Sequence, residues 1–331
     1  MNTSALKMPK RMQTEGGKER RVGVELELSG LSYKALISHM EMFLGAEATE
    51  EERYTTKLIT DHGNFIVELD SAQVKDFDPD TSPLPDAVAE VADKAMALVD
   101  AAAEQVVPLE IVGPPMNISA LPLFDSLTAF LYEHGALGSR HALYYAFGLQ
   151  LNPELPDLDP ATILGYMRAF ALSYAWLKER QQLDISRKFT SYIGPWPDKY
   201  TALIIAEDYR PDLAALIDDY LQHNPTRNRA LDMLPLFAHL DADRVKQSVS
   251  DNRIKPRPTL HYRLPDCDVD NPKWSFNHVW NDWVRVDNLA GDDDALRKMS
   301  DAWMEQYTGG IEHWLTRWQK TSQTWLGSLD S

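Results

Sequence analysis

A chain of 331 residues, 44% hydrophobic and 25% charged, has an ordinary globular composition and room for one large mixed domain or two of usual size. Its formal charge of −17 argues against a nucleic-acid backbone as partner, because phosphate binding calls for a basic surface. No apolar run reaches the roughly 18 residues a membrane helix needs, and the single cysteine, Cys267, excludes an intrachain disulfide and a multi-cysteine zinc site.

Residues 1–20 are polar and lack the apolar core of a secretory signal, so the expectation is a flexible N-terminal leader on a cytoplasmic protein. Arg21–Leu28 alternates Val22, Val24, Leu26 and Leu28 with Arg21, Gly23, Glu25 and Glu27, which predicts a strand. Tyr33–Leu44 spaces its apolar residues as a helix does. Tyr54–Thr60 and Asn64–Asp70 read as two strands joined by a turn at Asp61-His62-Gly63. Leu84–Val107 is Ala-rich and predicts a helix, and Pro108–Val112 a short strand stopped by Gly113-Pro114-Pro115.

Ser119 is placed to cap a helix over Leu121–Glu133. His141–Leu151 ends in a strand, and Pro160–Gln181 is a long helix. Asp212–Gln222 and Leu231–Asp243 read as helices, Arg257–Leu264 as a last strand. From Trp274 onward, seven tryptophans at helix-like spacing predict two amphipathic helices in a C-terminal extension, residues 269–331, packed on the body over 21–268. A partner surface is the other reading of those tryptophans. Strands and helices without a βαβ rhythm favour an α+β class.

Alternate residues of a strand share a face, so Glu25 and Glu27 point the same way. A half-exposed strand with two solvated glutamates would look identical. Glu68 and Asp70 repeat the spacing in a second strand, and Glu110 is a lone acid inside apolar Leu109–Val112. Like charges side by side on a sheet are unfavourable, and a hard cation such as Mg²⁺ relieves them. Glu68 solvated and Glu110 paired with an arginine are the plainer alternatives. No glycine-rich phosphate loop is present, so a nucleotide would be held by metals and arginines. Arg187 and Lys188, after the long helix, and Arg257, between Pro256 and Pro258, suit phosphate contacts or plain surface charge. His62 and His141 read as turn or loop residues rather than ligands.

Val22-Gly23-Val24-Glu25-Leu26-Glu27 resembles the G-x-E-x-E opening strand of carboxylate–amine ligases related to glutamine synthetase and glutamate–cysteine ligase, the amidoligase branch above all. Four further segments resemble that branch in order: Phe65–Ser71, Leu109–Pro115, Phe147–Pro153 and Thr259–Leu264, so the resemblance spans roughly residues 20–265. It implies a glutamine synthetase-like catalytic domain, a curved and mostly antiparallel sheet with helices on its outer face. Carried over, Glu25, Glu27 and Glu110 would bind Mg²⁺ bridging ATP phosphates. Asp70 would line the cleft, Gln150 and Asn152 would contribute to cofactor binding, and Arg263 would meet a phosphate or the substrate carboxylate. The implied reaction is ATP-dependent joining of a carboxylate to an amine (amino acid, peptide or polyamine) through an acyl phosphate, with a glutaminase-like hydrolase in the same pathway. Gln150 replaces the family's histidine and His261 its late glutamate. These two departures leave a non-catalytic nucleotide- or ligand-binding member of the fold as the alternative.

Overall fold

The computed structural model describes residues 5–52, 54–69, 108–139, 148–181, 193–308 and 314–328. The expected helix over 84–107 and the expected site residues Asp70, Arg187 and Lys188, with His141, lie outside them.

Alternation makes β1 (Arg21–Leu28) a two-faced strand: Val22, Val24, Leu26 and Leu28 are buried, and Glu25 and Glu27 face the other way. Helix α1 (Tyr33–Leu44) is capped by the Ser32 hydroxyl and ends at Gly45, whose φ of 62° is the left-handed turn glycine permits. Then come β2 (Glu47–Glu52), β3 (Thr55–Thr60), β4 (Gly63–Leu69), β5 (Leu109–Val112) and β6 (Met116–Asn117). Helix α2 (Pro122–Glu133) leads to β7 (Leu149–Pro153), followed by α3 (Pro160–Arg180), α4 (Asp198–Ile205) and α5 (Leu213–His223). The chain continues through β8 (Leu231–Asp232), α6 (Leu234–Leu240), α7 (Ala242–Ser248), β9 (His261–Tyr262), α8 (Phe276–Ala290), α9 (Asp293–Thr308) and α10 (Trp314–Ser328).

The described strands form one open sheet in the order β2-β3-β4-β5-β1-β7-β9-β8, with β6 beside β1 and every pairing antiparallel. The architecture is therefore mixed α and β, as the absence of a βαβ rhythm suggested. One face is apolar and carries the helices: Phe65 meets Phe124 of α2, which stacks on Phe276 of α8, while Tyr262 packs on Phe170 of α3 and Trp283 of α8. The opposite face keeps the polar side chains.

Several local expectations are corrected. Ser119 caps nothing: its backbone N–H donates to Glu19, and α2 starts at Pro122 without a side-chain cap. Leu231–Asp243 is not one helix but β8, α6 and the start of α7, because Leu231 and Asp232 pair with β9 and Pro235 restarts the helix. Only His261 and Tyr262 of Arg257–Leu264 form ladder strand, and the described residues of the tail form three helices rather than two. Strand β2 was unforeseen, since its sequence EATEEE carries no apolar alternation. The N-terminal leader is not free over residues 5–20. Lys7 N–H donates to Asn281, Trp280 Nε1 to the Lys7 carbonyl, and the buried Arg20 pairs with Asp287 at 2.5 Å, all on α8.

Candidate active site

The polar face is built by register. On β1 and β5 Glu27 lies directly opposite Glu110, and on β5 and β4 Glu110 lies opposite Glu68. Three carboxylates thus stand in a row across three adjacent strands, at the ~5 Å spacing of directly opposed residues. Each is there because its neighbours along the chain are buried in the core: Leu26, Leu28, Leu109, Ile111 and Val67.

Glu25 is opposite Gln150, and Gly23 opposite Asn152, on β7. The two amides lean diagonally. Gln150 Nε2 donates to Glu27 Oε1 at 2.9 Å, and Asn152 Nδ2 donates to Glu25 Oε1 at 2.8 Å. The Gly148 N–H donates to the other Glu27 oxygen at 2.7 Å. Glu27, Gln150 and Asn152 are all buried. Both oxygens of Glu27 are therefore held by neutral donors, which stabilise a buried carboxylate without neutralising it.

The basic end of the face lies on β9 and its approach. Arg257 Nη1 is 3.5 Å from Glu25 Oε1, and its Nη2 is 3.0 Å from His261 Nδ1. His261 Nδ1 is also 2.6 Å from Asn152 Oδ1. One ring nitrogen cannot donate to Asn152 and accept from Arg257 in the same tautomer. The shorter contact, to an amide already oriented by Glu25, puts the proton on Nδ1. Burial, and then Arg263, Arg257 and Arg227, holds the His261 pKa well below the usual imidazole value, so the ring is neutral. Arg263 Nη1 donates to the Arg227 carbonyl at 2.7 Å.

Opposite His261, on β8, is Asp232. It is fully buried; its Oδ1 accepts from Leu234 N–H at 2.9 Å, and its Oδ2 has no hydrogen-bond partner. Burial pushes its pKa up to about 6, against the pull of that hydrogen bond and of Arg263, Arg227 and Arg257. Sequence reasoning missed Asp232 and Arg227. The available signal was the one that flagged Glu110, a lone acid within an apolar run, here Ala230-Leu231-Asp232-Met233-Leu234.

The structure thus brings Glu25, Glu27, Glu110, Glu68, Gln150, Asn152, Arg257, His261 and Arg263 onto one face. Among the described residues no group of three or more His, Cys, Asp and Glu side chains converges closely enough to hold a metal ion by itself. A polar cavity of ≈ 480 Å³ lies elsewhere, between the ends of α3 and α8 and the loop after β9, lined in part by Arg180, Asp266, Lys273, Trp274 and Asp282. Neither the glutamates nor the arginines of the polar face line it, and its Arg180 and Asp282 pair with each other at 2.9 Å. Among the described residues, no helix is long and apolar enough to cross a membrane.

No curated protein and no solved structure matches the chain. A family model described as "Putative amidoligase enzyme" matches residues 18–285, from just before β1 into α8, and so covers every strand of the polar face. By that match over most of its length the chain belongs to the amidoligase enzymes, a family of amide-bond-forming ligases.

Proposed function

We propose that the protein is an ATP- and Mg²⁺-dependent ligase that joins a carboxylate to an amine through an acyl phosphate. The observation that carries this reading is the in-register row Glu68, Glu110, Glu27 beside Glu25, with guanidinium groups at the other end of the same face. Adjacent carboxylates repel one another, and a divalent cation relieves them.

The residues suit Mg²⁺ by donor type rather than by forming a closed cage. Mg²⁺ is usually held by one or two carboxylates, the rest of its shell being water and substrate phosphate. Glu25, Glu27 and Glu110 would hold it, and there it would neutralise charge on ATP phosphates. Asp70, outside the described residues, would line the same cleft, and Arg187 and Lys188 would face the nucleotide. Arg257 and Arg263 would meet the anionic ends of the reactants. Gln150 and Asn152 act through the glutamates, fixing Glu27 and Glu25 by their amide N–H groups. In the reaction a substrate carboxylate oxygen bonds to the γ-phosphorus as ADP leaves. The amine nitrogen then bonds to the acyl carbon, losing a proton, as phosphate leaves. Such chemistry asks mainly for positioning and charge neutralisation. The substrates proposed are an amino acid, peptide or polyamine, in the cytoplasm, with a glutaminase-like hydrolase in the same pathway.

Calorimetry with Mg·ATP, followed by ADP and phosphate assays over amino-acid and amine mixtures, tests the reading. Saturable binding is expected, weakened at least tenfold in Glu25→Gln. Absence of Mg·ATP binding, or an unaffected Glu25→Gln, overturns it. One observation favours a second reading, a binding protein without turnover: both Glu27 oxygens are engaged by Gly148 and Gln150. Binding of Mg·ATP with no ADP from any mixture would select it.

A further inference from the structure

Two histidines away from the polar face meet where α1 and α2 pack together. His39 is half-buried on α1, and His134 is the exposed residue that ends α2. Their ring centres are 4.7 Å apart, with the planes at 55°. Both rings rest on Phe130 of α2, 4.0 Å from His134 and 6.2 Å from His39, and Phe43 of α1 backs Phe130 at 5.1 Å. Aromatic packing accounts for the stack, but not for which nitrogens it leaves free.

His134 Nδ1 lies 2.8 Å from the Phe130 carbonyl oxygen. A carbonyl only accepts, so Nδ1 carries the proton and Nε2 of the neutral ring keeps its lone pair. A histidine with Nδ1–H tied to a carbonyl and Nε2 bare is the form that metal ions bind. His39 Nδ1 is shielded from solvent without a hydrogen-bond partner, while its Nε2 is not shielded and makes no hydrogen bond among the described residues. Burial first, then His134, holds the His39 pKa below the ordinary imidazole value, so that ring gives up no proton when a cation arrives. The spacing also fits. An ion ~2.1 Å from an Nε2 stands ~3.2 Å from that ring's centre, so two imidazoles binding it at ~90–109° have centres ~4.5–5.2 Å apart. The observed 4.7 Å lies inside that interval. His134 stands at the C-terminus of α2, where carbonyl dipoles favour positive charge.

We propose that His39 and His134 are the two protein ligands of a site for a late first-row divalent cation, Zn²⁺, Ni²⁺ or Cu²⁺, and that the bound ion clamps α1 to α2. Among the described residues no third His, Cys, Asp or Glu joins them. Water therefore completes the shell, and binding is weaker than in four-ligand structural zinc sites. Imidazole nitrogen selects these ions over Mg²⁺, which takes oxygen donors, so the site is distinct in chemistry from the carboxylate face and independent of the ligase reading.

The test uses the full chain, stripped of metal with EDTA and titrated by calorimetry with each of the three ions in excess Mg²⁺, so that oxygen-rich sites are already filled. At least one ion is expected to bind saturably to the wild type. His39→Gln and His134→Gln should each weaken that binding at least tenfold, and His62→Gln, at an exposed turn histidine, should leave it unchanged. No saturable binding by the wild type, or binding that either His39→Gln or His134→Gln keeps, overturns the proposal. Should a variant not fold, diethylpyrocarbonate labelling of the wild type decides instead. The bound ion should protect both His39 and His134, and unchanged labelling of either at saturation counts against the site. The clamp is read separately. An ion that binds the folded chain across α1 and α2 raises the urea midpoint of the wild type and not that of His39→Gln. A wild-type midpoint unmoved at saturating ion refutes the clamp.

Discussion

Asp232 shows how one buried carboxyl shapes the behaviour of the whole site. Its folded-state pKa of about 6 lies above the ordinary carboxylate value near 4. The unfolded chain therefore loses this proton first as pH rises, and the folded chain holds it longer. Stability from this group is full below pH ~4 and falls as pH rises toward ~6, by roughly 3 kcal/mol over two units. His261 acts in the opposite sense: with its pKa depressed, it costs stability as pH falls below its ordinary value near 6.5. The wild-type profile mixes both, and the difference between Asp232→Asn and wild type isolates the carboxyl. Urea unfolding at several pH values should find the two proteins similar at pH 4 and the variant more stable at pH 7; a pH-independent difference would refute the assignment. Gln150 gives a second residue-scale prediction. Gln150→Leu removes a donor from buried Glu27, and should cost about 1–3 kcal/mol in the same assay, because a hydrogen bond to a buried carboxylate is lost.

Among the elements, β1 was legible because eight residues of strict alternation show both its period and its polar face. Helices α1, α3 and α5 were legible for the same kind of reason, each carrying two or more turns of its own signal. Strand β9 was read too long, as part of Arg257–Leu264, and β8 was not read at all, since it is two residues long and exists only through pairing with β9. Arg227 and Asp232 stayed hidden with β8: a site residue is readable from sequence only when its element is. The Glu27–Glu110–Glu68 row lies between these cases. Each acid could be seen on its own strand, but their alignment depends on register between segments far apart in sequence. Contacts of α8 with residues 5–20 were equally invisible, because a polar leader shows no period. Arg20 and Asp287 are 1% and 2% exposed, and Tyr166 Oη donates to the same carboxylate at 2.8 Å. Asp287→Ala leaves Arg20 buried and unpaired, so a loss of about 3–5 kcal/mol is expected by chemical denaturation. A variant within about 0.5 kcal/mol of wild type, the range of ordinary surface substitutions, would mean that the N-terminal segment is not held by this pair.

At the scale of the whole molecule, the region matched by the family model ends inside α8, yet the hydrophobic core does not end there. Helices α9 and α10 both pack on α3, the long helix that also meets Tyr262 of β9 through Phe170. Trp303 of α9 and Trp318 of α10 are almost completely buried, and Trp318 Nε1 donates to the Leu172 carbonyl at 3.0 Å. The tryptophan spacing therefore serves packing, and α3 links the last helix to the sheet that carries the glutamates. Truncating Trp318 to alanine removes a large side chain from a filled interior, an expected cost of about 3–5 kcal/mol. Trp318→Phe keeps most of the volume and loses the donor, so it should cost markedly less if packing dominates. Because α10 shares a core with α3, urea unfolding followed by far-UV circular dichroism and by tryptophan fluorescence should give one coincident transition, shifted to lower urea in Trp318→Ala. A separate early transition for the tail, with the main transition unmoved, would show that α10 is an appendage. The sheet and its site would then owe nothing to it.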